Sequence, residues 1–306
     1  MIMWKDLLHQ LQQGDIKALA RTISLVENEQ PGYEKLLQAL LPNQKTKIIG
    51  ITGPPGAGKS TLVDSLIGLL VDTGKRVAVL CVDPSSPFNF GALLGDRIRM
   101  SEWYTHSKVF IRSVATRGSV GGLNPKIIEL TDLLKTAGYD YIIVETVGVG
   151  QSEIEIAGLA DTTVVVLVPE AGDEVQTMKA GLMEIADIFV VNKSDRPAAD
   201  VFVKNLRQML APPFSSHKEE VPVLKTIASQ KEGVQELFEK ILHLQSGTTN
   251  HERRLWLLTE KAWQLIQQKR MGDLSKSNIK EKIADASKKN DFNLYEFINH
   301  IAELRK

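Results

Sequence analysis

The stretch Gly53-Pro54-Pro55-Gly56-Ala57-Gly58-Lys59-Ser60-Thr61 leaves this chain few folds to choose from. It has the form G-x-x-x-x-G-K-[ST], a phosphate-binding loop. Its glycines let consecutive backbone N–H groups turn inward around phosphate oxygens, and the helix that follows adds the partial positive charge of its N-terminus. Such a loop works only between a strand and a helix. Lys47-Ile48-Ile49-Gly50-Ile51-Thr52 reads as a buried strand, and from Leu62 to Leu70 apolar residues recur at helical spacing, so both flanks are present. The motif predicts that Lys59 reaches the β- and γ-phosphates, that the Ser60 hydroxyl sits on Mg²⁺, and that Thr61 bonds the α-phosphate.

The rest of the chain fits a core built around that loop. Strand-like runs at Val77–Val82, Lys108–Val114, Tyr141–Glu145, Thr162–Val168, Ile188–Asn192 and Val221–Thr226 alternate with helical patterns at Lys126–Thr136, Glu174–Glu184, Ala199–Leu210 and Val234–Leu242. This alternation predicts an α/β fold, a mainly parallel sheet with helices on both faces and ligands at the carboxyl ends of the strands. Three regions are expected: a helical extension over residues 1–44, a phosphate-loop core over 45–246, and a helical arm over 247–306, set off by the polar run Ser246-Gly247-Thr248-Thr249-Asn250. In the extension, Trp4, Leu7, Leu8 and Leu11 form one apolar stripe and Ile16, Leu19, Ala20 and Ile23 another, which suits a face packed on the core. In the arm, Trp256 and Trp263 lie seven residues apart, and a short helical arm with two such rings suggests an oligomer contact.

Charge narrows the partners. Lys plus Arg and Asp plus Glu both number 37, which gives no electrostatic case for nucleic acid or a membrane surface. The single cysteine, Cys81, rules out an internal disulfide, suits a reducing compartment and lies in an apolar run that points to core packing. No apolar stretch approaches a membrane span, the N-terminus lacks a signal-peptide pattern and Asp6 argues against a transit peptide, so a cytoplasmic protein is expected.

Further motifs fall at strand ends. Asn192-Lys193-Ser194-Asp195 closes the Ile188–Val191 run. In this N-K-x-D pattern the Asp195 carboxylate can accept from the two donors of guanine, N1–H and N2–H₂, which adenine does not offer. Asn192 supports base and loop, and the Lys193 stem packs over the base plane. Thr226-Ile227-Ala228-Ser229 ends the next strand, where the backbone at Ala228 could meet guanine O6. Glu145-Thr146-Val147-Gly148 stands where most GTPases carry D-x-x-G. The carboxylate there organises Mg²⁺ through water, and the Gly148 N–H meets the γ-phosphate. Asp83 places a second carboxylate beside the phosphates, while Asp96 and Arg99 follow in a Gly-containing loop. A Gln often follows the D-x-x-G glycine in small regulatory GTPases and orients the attacking water. Here Val149 occupies that place and Gln151 lies further on, leaving Arg99 and Lys179 as the candidate catalytic cations beside Lys59 and Glu145.

Taken together, GPPGAGKST, VDPSSP, LLGDRIRM, ETVGVGQSE, PEAGDEVQTMKAG and NKSD, in that order, resemble the MeaB/ArgK-type GTPases, chaperones of adenosylcobalamin-dependent acyl-CoA mutases such as methylmalonyl-CoA mutase. The resemblance covers nearly the whole chain. It implies a GTPase that binds GTP and GDP with Mg²⁺, works as a homodimer through its C-terminal helices, and partners such a mutase in cofactor loading and protection. It implies that Lys59, Ser60 and Thr61 bind phosphates and metal, that Asp83, Asp96 and Glu145 surround the metal, that Asn192, Lys193 and Asp195 read guanine, and that the Glu170 to Lys179 loop is an extra switch facing the mutase. Phe88-Asn89-Phe90 and Val114-Ala115-Thr116-Arg117-Gly118 depart from the family pattern in switch regions. Two other readings share the phosphate loop. A nickel-delivery GTPase needs His or Cys ligand clusters, whereas His9, His106, His217, His243, His251 and His300 are scattered. A kinase needs a base positioned on an acceptor hydroxyl, and no such element stands out.

Overall fold

The computed structural model describes residues 4–83, 100–116, 123–148, 152–171, 180–211, 221–246, 251–272, 275–288 and 292–303. Apolar runs become seven strands, the inner ones covered on both sides of the pleat and the edge strands only in part: β1 (Lys47–Thr52), β2 (Val77–Asp83), β3 (Val109–Ala115), β4 (Tyr141–Glu145), β5 (Thr162–Leu167), β6 (Ile188–Asn192) and β7 (Val223–Thr226). They form one sheet in the order β3-β2-β4-β1-β5-β6-β7, with every neighbouring pair parallel. β1 therefore lies at the centre, between β4 and β5. The chain leaves β1 towards β2 on one side and β5 towards β6 on the other, which opens a crevice at the carboxyl ends of these strands.

Helices close both faces. On one, α4 (Lys59–Asp72) and α9 (Val234–Gln245) bury Leu62, Leu66, Leu237 and Ile241 against Ile49, Ile51, Val79, Ile143 and Val164. On the other, α8 (Ala199–Leu210) packs Phe202, Val203 and Leu206 on Val165, Phe189 and Val191, beside α5 (Ile127–Thr136), α6 (Ser152–Leu159) and α7 (Ala180–Ile185). The pattern expected over Glu174–Glu184 appears as α7 for its described part, and residues 174–179 lie outside the described residues. β7 begins two residues later than the apolar run suggests. Pro222 has no N–H to give the ladder, and only its carbonyl joins, accepting from Phe189 N at 2.9 Å.

The N-terminal helices α1 (Trp4–Gln12), α2 (Ile16–Glu27) and α3 (Tyr33–Gln38) bury Leu7, Leu11, Leu19 and Ile23 of the stripes read from the sequence, whereas Ile16, at the first turn of α2, is exposed. Asp15 caps α2, its carboxylate accepting from Ala18 N at 2.7 Å. Ion pairs tie this layer to β3 and to the start of α5: Arg112 of β3 meets Glu27 at 2.9 Å, and Lys126, just before α5, meets Glu29 at 2.6 Å with its ammonium 5.1 Å from the centre of the Tyr33 ring. Next to α4, the indole N–H of Trp103 donates to Asp64 at 2.8 Å.

The chain divides into two compact units, residues 1–255 and 256–306. The second holds most of α10 (His251–Arg270), together with α11 (Lys276–Ala286) and α12 (Leu294–Glu303). Ser275 caps α11 through a bond from Asn278 N, and Asn293 caps α12 by accepting from Tyr295 N and Glu296 N. Trp256, Leu258, Trp263, Ile266, Tyr295 and Ile298 of this unit are exposed. Among the described residues no helix is long and apolar enough to cross a membrane.

Candidate nucleotide-binding site

The site grows out of the end of β1. Beyond Thr52 the chain turns at Gly53, which has φ +135°, and a Cβ there would lie 2.0 Å from the Val166 carbonyl oxygen of β5. Only glycine fits so close beneath a neighbouring strand. The loop then runs to Gly58 and enters α4 at Lys59, so the first residues of the helix are those the motif assigns to phosphate. The Lys59 ammonium is buried inside its own loop, where it donates to the carbonyls of Gly53 at 2.8 Å, Pro54 at 3.1 Å and Val147 at 3.4 Å. Gly148 closes the far wall with φ +86°, and a Cβ on it would sit 1.8 Å from Gly53 O. The two glycine backbones thus touch across the mouth of the loop.

Ser60, the next residue of α4, donates its hydroxyl to Glu145 Oε1 at 2.7 Å. Glu145 ends β4 and Asp83 ends β2, and both are buried. Below them a hydroxyl pair, Thr52 and Thr146 at 2.8 Å, with Thr146 N donating to Ile51 O, locks the ends of β1 and β4 together. Lys59, Ser60, Thr61, Asp83, Glu145 and Val147 line a cleft of about 460 Å³ whose rim includes Pro55, Gly56 and Lys193. Cys81 is buried, as its apolar run requires, and borders the same cleft. The hydroxyl of Ser60 and the carboxylates of Asp83 and Glu145 form an oxygen-only donor set, which fits Mg²⁺, a hard cation that takes one or two carboxylates plus phosphates and water. Among the described residues no three His, Cys, Asp or Glu side chains form a metal cage, and Mg²⁺ bound in this way does not need one.

The second half of the site hangs from β6. Asn192 ends that strand and is buried. Its Nδ2 donates to Ala57 O at 2.9 Å, while its Oδ1 accepts from Thr226 Oγ1 at 3.1 Å and from Ala228 N at 3.0 Å. One amide therefore joins the phosphate loop, the end of β7 and the turn at Ala228, whose carbonyl in turn accepts from Ser65 of α4 at 2.9 Å. Lys193, with φ +55°, donates its ammonium to Gly56 O at 2.7 Å. Ser194 N bonds to Thr226 O and Arg196 N to Lys193 O, so Asp195 stands exposed on a closed turn at the carboxyl end of the sheet.

The structure thus gathers Gly53 to Thr61, Asp83, Glu145 and Gly148 around one cleft, with Asn192, Lys193, Asp195 and Ala228 beside it. Asp96, Arg99 and Lys179 lie outside the described residues, as do Val149, Gln151, Phe88-Asn89-Phe90 and Arg117-Gly118. The sequence does not reveal the Ser60 hydroxyl on Glu145, the Lys193 ammonium on Gly56 O, the Val147 carbonyl on Lys59, the Thr52–Thr146 pair, or an ion pair at 2.5 Å between Arg196 and Glu170, just beyond β5. The hydrogen bond from the Arg196 guanidinium holds the Glu170 carboxyl below the usual carboxylate range.

Comparison with known proteins bears on this site directly. A family model described as Methylmalonyl Co-A mutase-associated GTPase MeaB matches residues 19–282. A protein of Pyrococcus horikoshii, named provisionally as a GTPase, is 50% identical over 242 residues, spanning 77% of this chain and 76% of that protein. The mouse protein named methylmalonic aciduria type A homolog, mitochondrial, is 34% identical over 286 residues, spanning 84% of this chain and 68% of its own. Among solved structures, that of an LAO/AO transport system kinase superposes with a TM-score of 0.70 at 27% identity, covering 98% of this chain and 97% of that one. With the phosphate loop and the N-K-x-D turn in place on a parallel sheet, this chain belongs to the MeaB family and is a P-loop GTPase.

Proposed function

We propose that this GTPase is a chaperone of an adenosylcobalamin-dependent acyl-CoA mutase of the methylmalonyl-CoA mutase type, assisting the loading and protection of its cofactor. The observation that carries this reading is the family match over residues 19–282, since that family is described by its association with the mutase. The mouse relative, whose name refers to methylmalonic aciduria, supports it.

In this reading the backbone from Gly53 to Gly58 and the side chains of Lys59 and Thr61 bind the phosphates of GTP. Lys59 exchanges carbonyl partners for β- and γ-phosphate oxygens. Ser60, Asp83, Asp96 and Glu145 would hold Mg²⁺, which would supply positive charge to offset the negative charge that develops in phosphoryl transfer. Gly148 N–H faces the γ-phosphate. Asp195 accepts from the two guanine donors, Lys193 covers the base, and Asn192 and Ala228 hold the base side against the phosphate side. Water attacks the γ-phosphorus and GDP leaves. Arg99 and Lys179 are the candidate cations for that step.

Val149 follows Gly148 and offers no polar group for the attacking water, so the free protein is expected to hydrolyse GTP well below ~1 s⁻¹, the range of unassisted GTPases. The cognate mutase is expected to raise the rate. Single-turnover hydrolysis with and without the mutase tests this. A free protein that is already fast and unresponsive to the mutase would refute the chaperone reading.

The proposed assembly is a homodimer through the 256–306 unit. Trp256 and Trp263 are 47% and 59% exposed, too much aromatic surface for a short helical unit to leave in water. Light scattering at micromolar concentration should give twice the mass of the chain, and a monomer there removes the dimer from the proposal. One observation favours a second reading, a kinase: the 27% identical solved structure is described as one. Phosphate release in the absence of any acceptor separates hydrolysis from that alternative.

A further inference from the structure

β5 and β6 are neighbours, so the residues just past their carboxyl ends come together. Past β5 the chain makes a short 3₁₀ turn, Pro169–Ala171, that carries Glu170. Past β6 it makes the turn that carries Asp195, and Arg196 follows at once. The Arg196 guanidinium reaches across to the Glu170 carboxylate at 2.5 Å.

The Asp195 turn has little else to hold its outer side. Among the described residues, no hydrogen bond is made by the Asp195 carboxylate, so its aim is set by the turn that bears it. Within the turn, Ser194 N bonds to Thr226 O and Arg196 N to Lys193 O. Lys193 is held in the left-handed region at φ +55°, which a non-glycine residue adopts only at a cost, so the turn needs anchors to persist. On the inner flank the anchor is the Lys193 ammonium on Gly56 O of the phosphate loop. On the outer flank the anchor is Arg196 on Glu170.

We propose that the Glu170–Arg196 ion pair is a positioning device for guanine recognition, bracing the Asp195 turn against the end of β5 and thereby prolonging the residence of a guanine nucleotide. The proposal rests on Asp195 being the guanine reader. Neither partner touches the phosphate cleft. Its effect therefore falls on the base and not on the phosphates, and an exposed pair of this kind is open to screening by salt.

The test is stopped-flow dissociation of fluorescent (methylanthraniloyl) GDP and ADP from the full chain. Glu170→Gln and Arg196→Gln should each release the GDP probe about two- to fivefold faster, the size expected of an exposed ion pair. The ADP probe should leave at its native rate. The exchanged pair, Glu170→Arg with Arg196→Glu, should recover most of the native GDP rate. In the native protein alone, raising salt to ~1 M should speed GDP release more than ADP release and bring it to the level of the single variants. Unchanged GDP rates in both single variants would overturn the proposal. So would equal acceleration of both probes, which would mark the pair as support for the fold alone. A native protein that holds the ADP probe as long as the GDP probe would instead overturn the assignment of Asp195 itself, and the proposal with it.

Discussion

Lys59→Ala should lower single-turnover GTP hydrolysis by about 10²- to 10³-fold, the usual loss when one preorganised donor to developing charge is removed. The structure explains why so much of that loss belongs to chemistry and so little to folding. Among the described residues the ammonium donates to the carbonyls of Gly53, Pro54 and Val147, so it is held in place from both walls of the cleft. Removing it leaves those carbonyls beside an open cleft, where water can replace the lost bonds, and the stability cost should stay near ~1 kcal/mol. Lys59→Arg should fare little better, because a planar fork cannot meet three carbonyls arranged around a point charge. Phosphate release and a thermal melt on the same preparation check both halves. Turnover within a factor of about ten of native would show that Lys59 does not meet the phosphates.

Asn192→Ala should be the most damaging change to the fold among the site residues. The buried amide serves Ala57 O, Thr226 Oγ1 and Ala228 N at once, and alanine strands all three. Each buried group left without a partner costs about 1–3 kcal/mol, and partial relaxation suggests a loss of about 2–5 kcal/mol in all. For a domain of this size that corresponds to a fall in Tm of roughly 5–15 °C. Guanine nucleotide affinity should fall with it, because the same amide fixes the phosphate loop to the end of β6. Asn192→Asp keeps the acceptor but turns a carboxylate oxygen towards Ala57 O, so it should be no milder. Denaturant unfolding and calorimetric titration with GDP measure the two effects, and a variant of native stability that binds GDP normally would refute the bridging role.

The parts of the site that were legible in the sequence are those whose chemistry is local. Gly53 to Thr61 announces itself because loop, strand and helix are contiguous, and Tyr141–Glu145 and Ile188–Asn192 match their strands because short apolar runs ending in a polar residue leave no other reading. The stripes of α1 and α2 were legible for the same reason, one face at a time. What the sequence hid is separation. Asn192 meets a carbonyl 135 residues away, Lys193 one 137 residues away, and Arg112 a carboxylate 85 residues away. Periodicity carries no information about such distances. Glu170 and Arg196 each look like ordinary surface charges until the order β5-β6 brings the two strand ends side by side. The same holds for Arg253, whose guanidinium meets the carbonyls of Glu184 and Ile185 and so caps α7, a contact that nothing in its own helix suggests. Strand ends moved where backbone chemistry intervened, as Pro222 does before β7.

The position of β1 also has a consequence for the newborn chain. β1 is made early, yet the strands that flank it, β4 and β5, come nearly a hundred residues or more later. At synthesis rates of about 5–20 residues per second, the apolar run from Ile48 to Ile51 must wait roughly 5–25 s for its neighbours. During that wait β2 and β3, which adjoin in both sequence and space, can begin to pair. The loop from Gly53 to Gly58 is different. It hangs from β1, leans on Val166 of β5, faces Gly148 beyond β4 and is fastened by Asn192 of β6. Half a sheet cannot support it. The ability to grip a phosphate is therefore one of the last properties the chain acquires, and a nucleotide can select only molecules whose central strands have already closed.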